Sequence, residues 1–386
     1  MQITTSAIFR YFLYLGIAGF GGPLAIIEYI RRDLVFDKKW MTLEEFKDYF
    51  GYSQIAPGPL AFQVALYFAY HKKGLKAAIL AGIGLVFPSF LIVLVFSIFY
   101  KSYSDINWIV WALYGISPVV ISIIFQSGFN LSRSVFTKEP IQYVLFASVI
   151  IVSYFFKVHI IYMILSSALI SLVYHIVKRK SETKAMSVNL FILGLIGQVY
   201  GSVLLLLEFV NSKLIQMAYI FLKAGMLTYG SGFVIVGVLR QDVVENFHLI
   251  TAKEFLDGVA FGQITPGPVV ITSTFIGYLV SGFTGSVITT VSVFLPTFIF
   301  VLIISKFINK IKDNFYLKSA IKGANAASIA AIMVTGYFLS AEALIDYFTF
   351  GFFAAALGIL FFTKLKPYYV IIAGATAGVI VKLFLN

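Results

Sequence analysis

The segment Gln54-Ile55-Ala56-Pro57-Gly58-Pro59 returns 209 residues later as Gln263-Ile264-Thr265-Pro266-Gly267-Pro268. Both copies lie inside long apolar stretches. Proline and glycine break a helix, and lipid forbids a break whose backbone is left unsatisfied. A broken helix at membrane depth, present twice in one chain, points to a transporter binding site. Pro59 and Pro268 fall at the first position of a new half-helix, where a missing N–H costs nothing. Glycine lets the backbone approach a ligand closely. The amides of Gly58, Leu60 and Ala61, and of Gly267, Val269 and Val270, then point out of helix N-termini. Such ends carry about half a positive charge and favour anions. Gln54 and Gln263 add side-chain donors one turn earlier. Thr265, Thr272, Ser273 and Thr274 add hydroxyls in the second copy only. Two such ends converging from opposite directions suit an anion, and a dianion in particular. The competing reading is a kink used only for packing.

Other residues with chemical potential lie nearby. The first helix of each copy is also interrupted, with Phe20-Gly21-Gly22-Pro23 aligned to Tyr229-Gly230-Ser231-Gly232. These small residues allow close helix contact or a second unwound segment. Lys223 lies about one turn before that second interruption, and Tyr14 matches it in the first copy. No carboxylate sits one helical turn away. An unpaired lysine at that depth is costly or deprotonates. A bound anion would relieve it, and so would an acid on another helix. Asp48 and Asp257 are matched acids one to two turns into the broken helices. Acids there are costly and often functional, so both are candidates for binding a coupling proton. The alternative is an interfacial or salt-bridged role. Thr42 to Glu45 and Thr251 to Glu254 fit the capping box and mark where those helices start.

The elements that hold these residues are membrane helices. The 386 residues are 60% hydrophobic and 12% charged, with a mean hydropathy of +0.94. Soluble domains carry about 25% charged residues. The chain is a polytopic membrane protein, inserted through an ordinary first helix rather than a cleaved signal peptide. The net charge of +12 fits basic cytoplasmic loops, not nucleic acid. Without cysteine, disulfides, thiol catalysis and Cys-ligated metal are excluded. His71, His159, His175 and His248 show no ligand spacing, and no cofactor is expected. There is no Walker A loop, dinucleotide fingerprint or nucleophile elbow. Gly374-x-x-x-Gly378 is a generic helix-packing pattern.

Residues 12–60 align with 221–269 without a gap, with 17 identities in 49 positions. With one residue deleted the match runs on through Gly74/Gly282, Pro88/Pro296, Phe90/Phe298 and Gly115/Gly323. This is a duplicated domain rather than a short solenoid repeat. Apolar spans are expected at 6–30, 43–71, 75–100, 107–128, 140–156 and 158–178. A linking helix follows at 187–208, and then spans at 212–240, 251–280, 284–305, 316–338, 345–362 and 366–384. The domains read as 1–186, 187–211 and 212–386. If both broken helices cross as two half-helices, the basic loops near Lys72, Arg133, Lys178, Lys306 to Lys318 and Lys364 share one side. If they dip back, Lys306, Lys310, Lys312 and Lys318 fall on the wrong side. The expected fold is therefore all-α, with about thirteen crossings. Two inverted six-helix repeats flank a linking helix, a common build for secondary transporters. The loop 31–42 then falls outside, although Arg31, Arg32, Lys38 and Lys39 outnumber Asp33 and Asp37.

Phe20 to Pro23, Gln54 to Pro59, Gly262 to Pro268 and the duplication resemble the chromate ion transporter family in its long, two-domain form. The likeness covers nearly the whole chain. It implies a bacterial inner-membrane protein that expels chromate and confers resistance. Chromate is a tetrahedral dianion close to sulfate in shape, in keeping with the site above. The leading expectation is a secondary transporter exporting chromate, with one repeat rocking against the other. A sulfate carrier or anion channel of other direction or coupling is the alternative, and a non-transport scaffold subunit is a remote one. Expected partners are the oxyanion and the bilayer, with a coupling proton and a homodimer left open.

Overall fold

The computed structural model describes residues 3–103, 106–137, 139–156, 158–179, 212–228, 232–311, 314–363 and 365–385. The expected linking helix 187–208, and Gly230 and Ser231, lie outside the described residues. The secondary structure of the described residues is all helical, with no strand. In the first repeat α1 is Thr5–Ala18, α2 is Gly22–Arg31 running into a π-helical turn Arg32–Asp37, and α3 is Leu43–Ser53. The long α4, Leu60–Tyr103, is followed by α5 (Asn107–Val135), α6 (Pro140–Phe156) and α7 (Ile160–Arg179). In the second repeat α8 is Lys213–Leu227, α9 is Val234–Arg240 with a π-helical turn Gln241–Asn246, and α10 is Ala252–Ile264. A short 3₁₀ turn, Val269–Ile271, leads into α11 (Thr272–Ile311), with α12 (Phe315–Ala343), α13 (Tyr347–Phe362) and α14 (Pro367–Leu385) after it. Both capping boxes form: Thr42 and Glu45, and Thr251 and Glu254, exchange hydrogen bonds.

Among the described residues six helices are long and apolar enough to cross a membrane: 60–103, 107–135, 160–179, 269–307, 315–343 and 367–384. Three shorter apolar helices accompany them. The chain is a multi-pass membrane protein.

The broken helices do not cross end to end, which corrects the expectation for spans 6–30, 43–71, 212–240 and 251–280. Laid end to end, Glu45 and Lys72 would stand roughly 40 Å apart at 1.5 Å per residue. Instead Lys72 Nζ meets Glu45 Oε1 at 2.6 Å. Tyr49 stacks on His71 at 5.3 Å, and Tyr52 meets Tyr67 at 5.8 Å. So α3 and the start of α4 are antiparallel, and 54–59 is the tip of a hairpin. In the second repeat Phe261 meets Phe275 at 5.3 Å, and Gly258 also packs on Phe275. The first helices reverse too: Tyr11 donates to Asp33 at 3.3 Å, and Lys223 meets Asp242 at 2.7 Å. The physical reason is backbone direction. Gly21, Gly58 and Gly267 have φ of +113°, +133° and +98°, values that turn the chain back and that side-chain-bearing residues avoid. α4 and α11 each reverse again at Lys73-Gly74 and Ser281-Gly282. Thr274 and Thr290 hydroxyls meet at 2.7 Å across the second of these turns.

The repeats interlock. α5 packs against α13 and α14 of the second repeat, while α12 packs against α6 and α7 of the first. α4 and α11 meet each other, each carrying its own first helix, α1 and α8. At the matched crossings Gly115 lies on the backbone of Gly374 and Gly378, and Gly323 on Ser167 and Ser171. A methyl group at either glycine would collide with backbone, the close helix approach that small-x₃-small patterns permit.

Candidate substrate site at the paired hairpin tips

The two Pro-Gly-Pro tips are held by the opposite repeat. Gly58 donates its amide to the Thr228 carbonyl at 2.5 Å, and Gly267 donates to the Gly19 carbonyl at 3.1 Å. Gly19 and Thr228 are matched positions in the two first-helix breaks, so each tip seats in the other repeat's interruption. Two hydroxyl residues, matched at an offset of 208, complete the arrangement. Ser89 lies against Gly267 and donates to the Pro266 carbonyl at 2.5 Å. Thr297 lies against Gly58, but its buried Oγ1 has no hydrogen-bond partner among the described residues. Sequence reasoning missed both, although each directly follows one of the matched prolines Pro88 and Pro296.

The expected donors are only partly free. The Gly58 and Gly267 amides are spent on Thr228 and Gly19. Those of Leu60, Ala61, Val269 and Val270 find no acceptor among the described residues, as first-turn amides of a helix do not within their own helix. All four residues are buried. Gln63 Nε2 braces the first tip by donating to the Ala56 and Gly58 carbonyls at 3.0 and 2.9 Å. Gln54 is exposed, whereas Gln263 has its Nε2 buried without a partner among the described residues. The Thr265 hydroxyl is turned back onto the Phe261 and Gly262 carbonyls at 3.1 and 3.3 Å. Thr272 is spent on Val269 and Thr274 on Thr290, while the buried Ser273 Oγ has no partner among the described residues. Gly21 and Gly22 both hold positive φ and open the first-repeat break. Pro57, Pro59, Pro266 and Pro268 are buried within the tips.

Lys223 is not unpaired. Its Nζ meets Asp242 Oδ2 at 2.7 Å, and His159 Nε2 lies 3.0 Å from Oδ1 of the same carboxylate. His159 Nδ1 accepts the Ile161 amide at 3.3 Å, so its proton sits on Nε2 and is donated to Asp242. Asn246 adds a bond to Asp242 at 3.1 Å. The acid comes from the π-helical turn, which the hairpin brings back alongside α8. Its counterpart Asp33 is held by Arg32 at 2.8 Å and by Tyr11. The identity of Asp33 and Asp242 in the aligned repeats was the available signal. It carries weight only once the hairpins are known. The coupling candidates also diverge: Asp48 is exposed, while Asp257 is 1% exposed and takes a hydrogen bond from Tyr100 at 2.8 Å. No cluster of metal-binding side chains occurs among the described residues.

Broken and reversing helices packed inside an apolar helical bundle are a recurring build of membrane transporters. Residues 6–172 and 215–379 match the family model described as Chromate transporter, and the chain belongs to that family. It is 35% identical to a probable chromate transport protein of Synechococcus elongatus over 96% of this chain and 94% of the relative. It is 32% identical to a chromate transport protein of Cupriavidus metallidurans over 89% of this chain and 84% of that one. A chromate transport protein of Pseudomonas aeruginosa is 29% identical over 96% and 91%. No solved structure matches the chain. The chain is a transporter and not an enzyme.

Proposed function

We propose that the chain is a secondary transporter that exports chromate, or a sulfate-like tetrahedral oxyanion, with the dianion held between the two hairpin tips. The observation that carries this reading is the reciprocal seating of the tips through Gly58 on Thr228 and Gly267 on Gly19. It leaves the amides of Leu60, Ala61, Val269 and Val270 without acceptors at two helix N-termini, where an oxyanion is favoured. Gln54 and Gln263 flank the same tips. The relatives' names carry chromate. Lys223 then serves to hold α8 to the π-helical turn rather than to touch the ion, and Gly21 and Gly22 shape the break that receives the second tip.

The repeats 1–186 and 212–386 are read as inverted, joined through 187–211. With every broken helix folded back, each repeat crosses four times and the link once, nine crossings in all. The loop 31–42 then joins the other basic loops on the cytoplasmic side, as the positive-inside rule asks. Contacts support the inversion. Tyr100, at the far end of α4 from Lys72, meets Asp257 near the start of the second hairpin. Alternating access is supported by unequal exposure of matched residues: Gln54 and Asp48 are open, whereas Gln263 is partly covered and Asp257 is buried. Asp257 is the coupling candidate, since a buried acid with one hydroxyl donor and no cation bonded to it takes up a proton readily. The expected location is the bacterial cytoplasmic membrane. In liposomes the purified chain is expected to move chromate under a proton gradient, with sulfate competing. Flux of neither ion under any gradient overturns the reading.

A further inference from the structure

A cavity of about 490 Å³ opens between α1 and the turn that follows α2, lined among others by Arg10, Tyr11, Tyr14, Arg32, Lys38 and Trp40. It holds three cations against two carboxylates, Asp33 and Asp37. The acids are engaged. Arg32 meets Asp33 at 2.8 Å and reaches Asp37 at 3.9 Å, and Tyr11 donates to Asp33. Lys38 lies over the rings of Trp40 and Tyr11 at 5.5 and 6.0 Å. Arg10 is different. Every other described arginine lies against a carboxylate or an aromatic ring: Arg31 on Glu28, Arg133 on Phe129, Arg179 on Phe315, and Arg240 on Glu245 and Phe338. Arg10 has neither among the described residues, so its fork of donors is uncommitted there, and that fork matches the geometry of an oxyanion.

We infer that this cavity is a second oxyanion site, distinct from the hairpin tips, in which Arg10 supplies the principal charge. Rings of Tyr11, Tyr14 and Trp40 wall it, and a bond from the Arg10 guanidinium to an oxyanion is charge-assisted. Arg10, Tyr14 and Ala18 recur at i, i+4 and i+8 along one face of α1. That face runs roughly 14 Å, at 1.5 Å per residue, from Arg10 to Gly19, whose carbonyl seats the second tip. Tyr14 is 63% exposed along this path. In the second repeat the position of Arg10 is uncharged: Tyr219 stands there, buried beneath Lys223, whose charge is paired with Asp242. The ligand chemistry is a tetrahedral oxyanion group, borne either by a free ion on its way to the tips or by a lipid phosphate at the membrane surface.

Trp40 lines the cavity and reports on it. Full-length protein in nanodiscs of neutral phosphatidylcholine is titrated with sulfate, and tryptophan emission is recorded. We expect a saturating change that disappears in Trp40→Phe and whose midpoint rises at least fivefold in Arg10→Gln. If the Arg10-dependent change appears on adding phosphatidylglycerol instead of sulfate, the site stands with lipid phosphate as its ligand. The inference is overturned if neither addition alters emission, if the change survives Trp40→Phe, or if Arg10→Gln titrates like wild type. Because emission is read without transport, a wild type that moves no oxyanion while Trp40 responds refutes the proposed function and leaves this site standing.

Discussion

Glu45 and Lys72 form an ion pair at 2.6 Å although 27 residues separate them. One begins α3 and the other ends the first limb of α4, so the segment between them goes out and comes back. This makes the topology testable with single cysteines, because the chain has none of its own. Lys39→Cys and Lys73→Cys are expected to react with an impermeant thiol reagent from the same side, and His248→Cys from the other. Labelling of Lys39→Cys and Lys73→Cys from opposite sides would contradict the hairpin.

The tip glycines are required twice over, by positive φ and by contact. Gly267→Ala faces strain of ~1–3 kcal/mol in that backbone region and overpacking of ~1–3 kcal/mol against Ser89. Thermal unfolding in detergent should show a loss of this order. Ser89→Gly, which removes the obstructing hydroxyl, should restore part of it in the double variant. An unchanged melting temperature for Gly267→Ala would show that the tip is not seated as described.

The Lys223–Asp242 pair is a brace. Removing one partner of a buried pair costs ~3–5 kcal/mol, and replacing both costs far less. Lys223→Met and Asp242→Asn should each destabilise strongly, and the double variant should recover most of the loss. Should the double variant be no better than either single one, the two residues do not act as a pair.

Asp257→Asn is expected to abolish the dependence of oxyanion flux on the proton gradient while downhill flux persists. Asp48→Asn, at an exposed position, should leave that dependence in place. Flux assays in liposomes at several imposed pH differences separate these outcomes. Loss of coupling in Asp48→Asn alone would reassign the role.

Glu139 joins the repeats, accepting from His175 at 2.7 Å and from Lys322 at 2.6 Å. Burial raises its carboxyl, but the hydrogen bonds from Lys322 and His175 outweigh that and hold it below its ordinary value. A carboxyl lowered on folding lends stability above its unfolded value, and that stability is lost as pH falls through its folded value. Wild type should therefore lose more stability than Glu139→Gln on acidification below about pH 4.5. Parallel acid-unfolding curves would show that this contact contributes nothing.

Much of this was legible in the residues. The duplication, both capping boxes and both breaks follow from spacing and residue type. Direction was not legible. Pro-Gly-Pro reports that a helix stops, while the φ of Gly58 and Gly267 decides whether the next half-helix goes on or turns back. The excess charge of Arg31, Arg32, Lys38 and Lys39 was the one hint, since it fits only if α1 and α2 reverse as well. Lys223 looked unpaired because Asp242 is 19 positions on, out of reach along a straight helix and adjacent across a hairpin. Ser89 and Thr297 were invisible for the same reason: their partners belong to the opposite repeat.

The central claim is that an oxyanion sits at the paired tips, and Gln263 tests it most directly. Its Nε2 is buried with no partner among the described residues. Replacing an unsatisfied donor with an apolar group of similar size is neutral or stabilising for an empty protein. Equilibrium binding of chromate, with sulfate as competitor, should be at least tenfold weaker in Gln263→Leu than in wild type, while the ligand-free melting temperature holds or rises. Binding of equal strength in the two proteins, or none in wild type, would contradict the site.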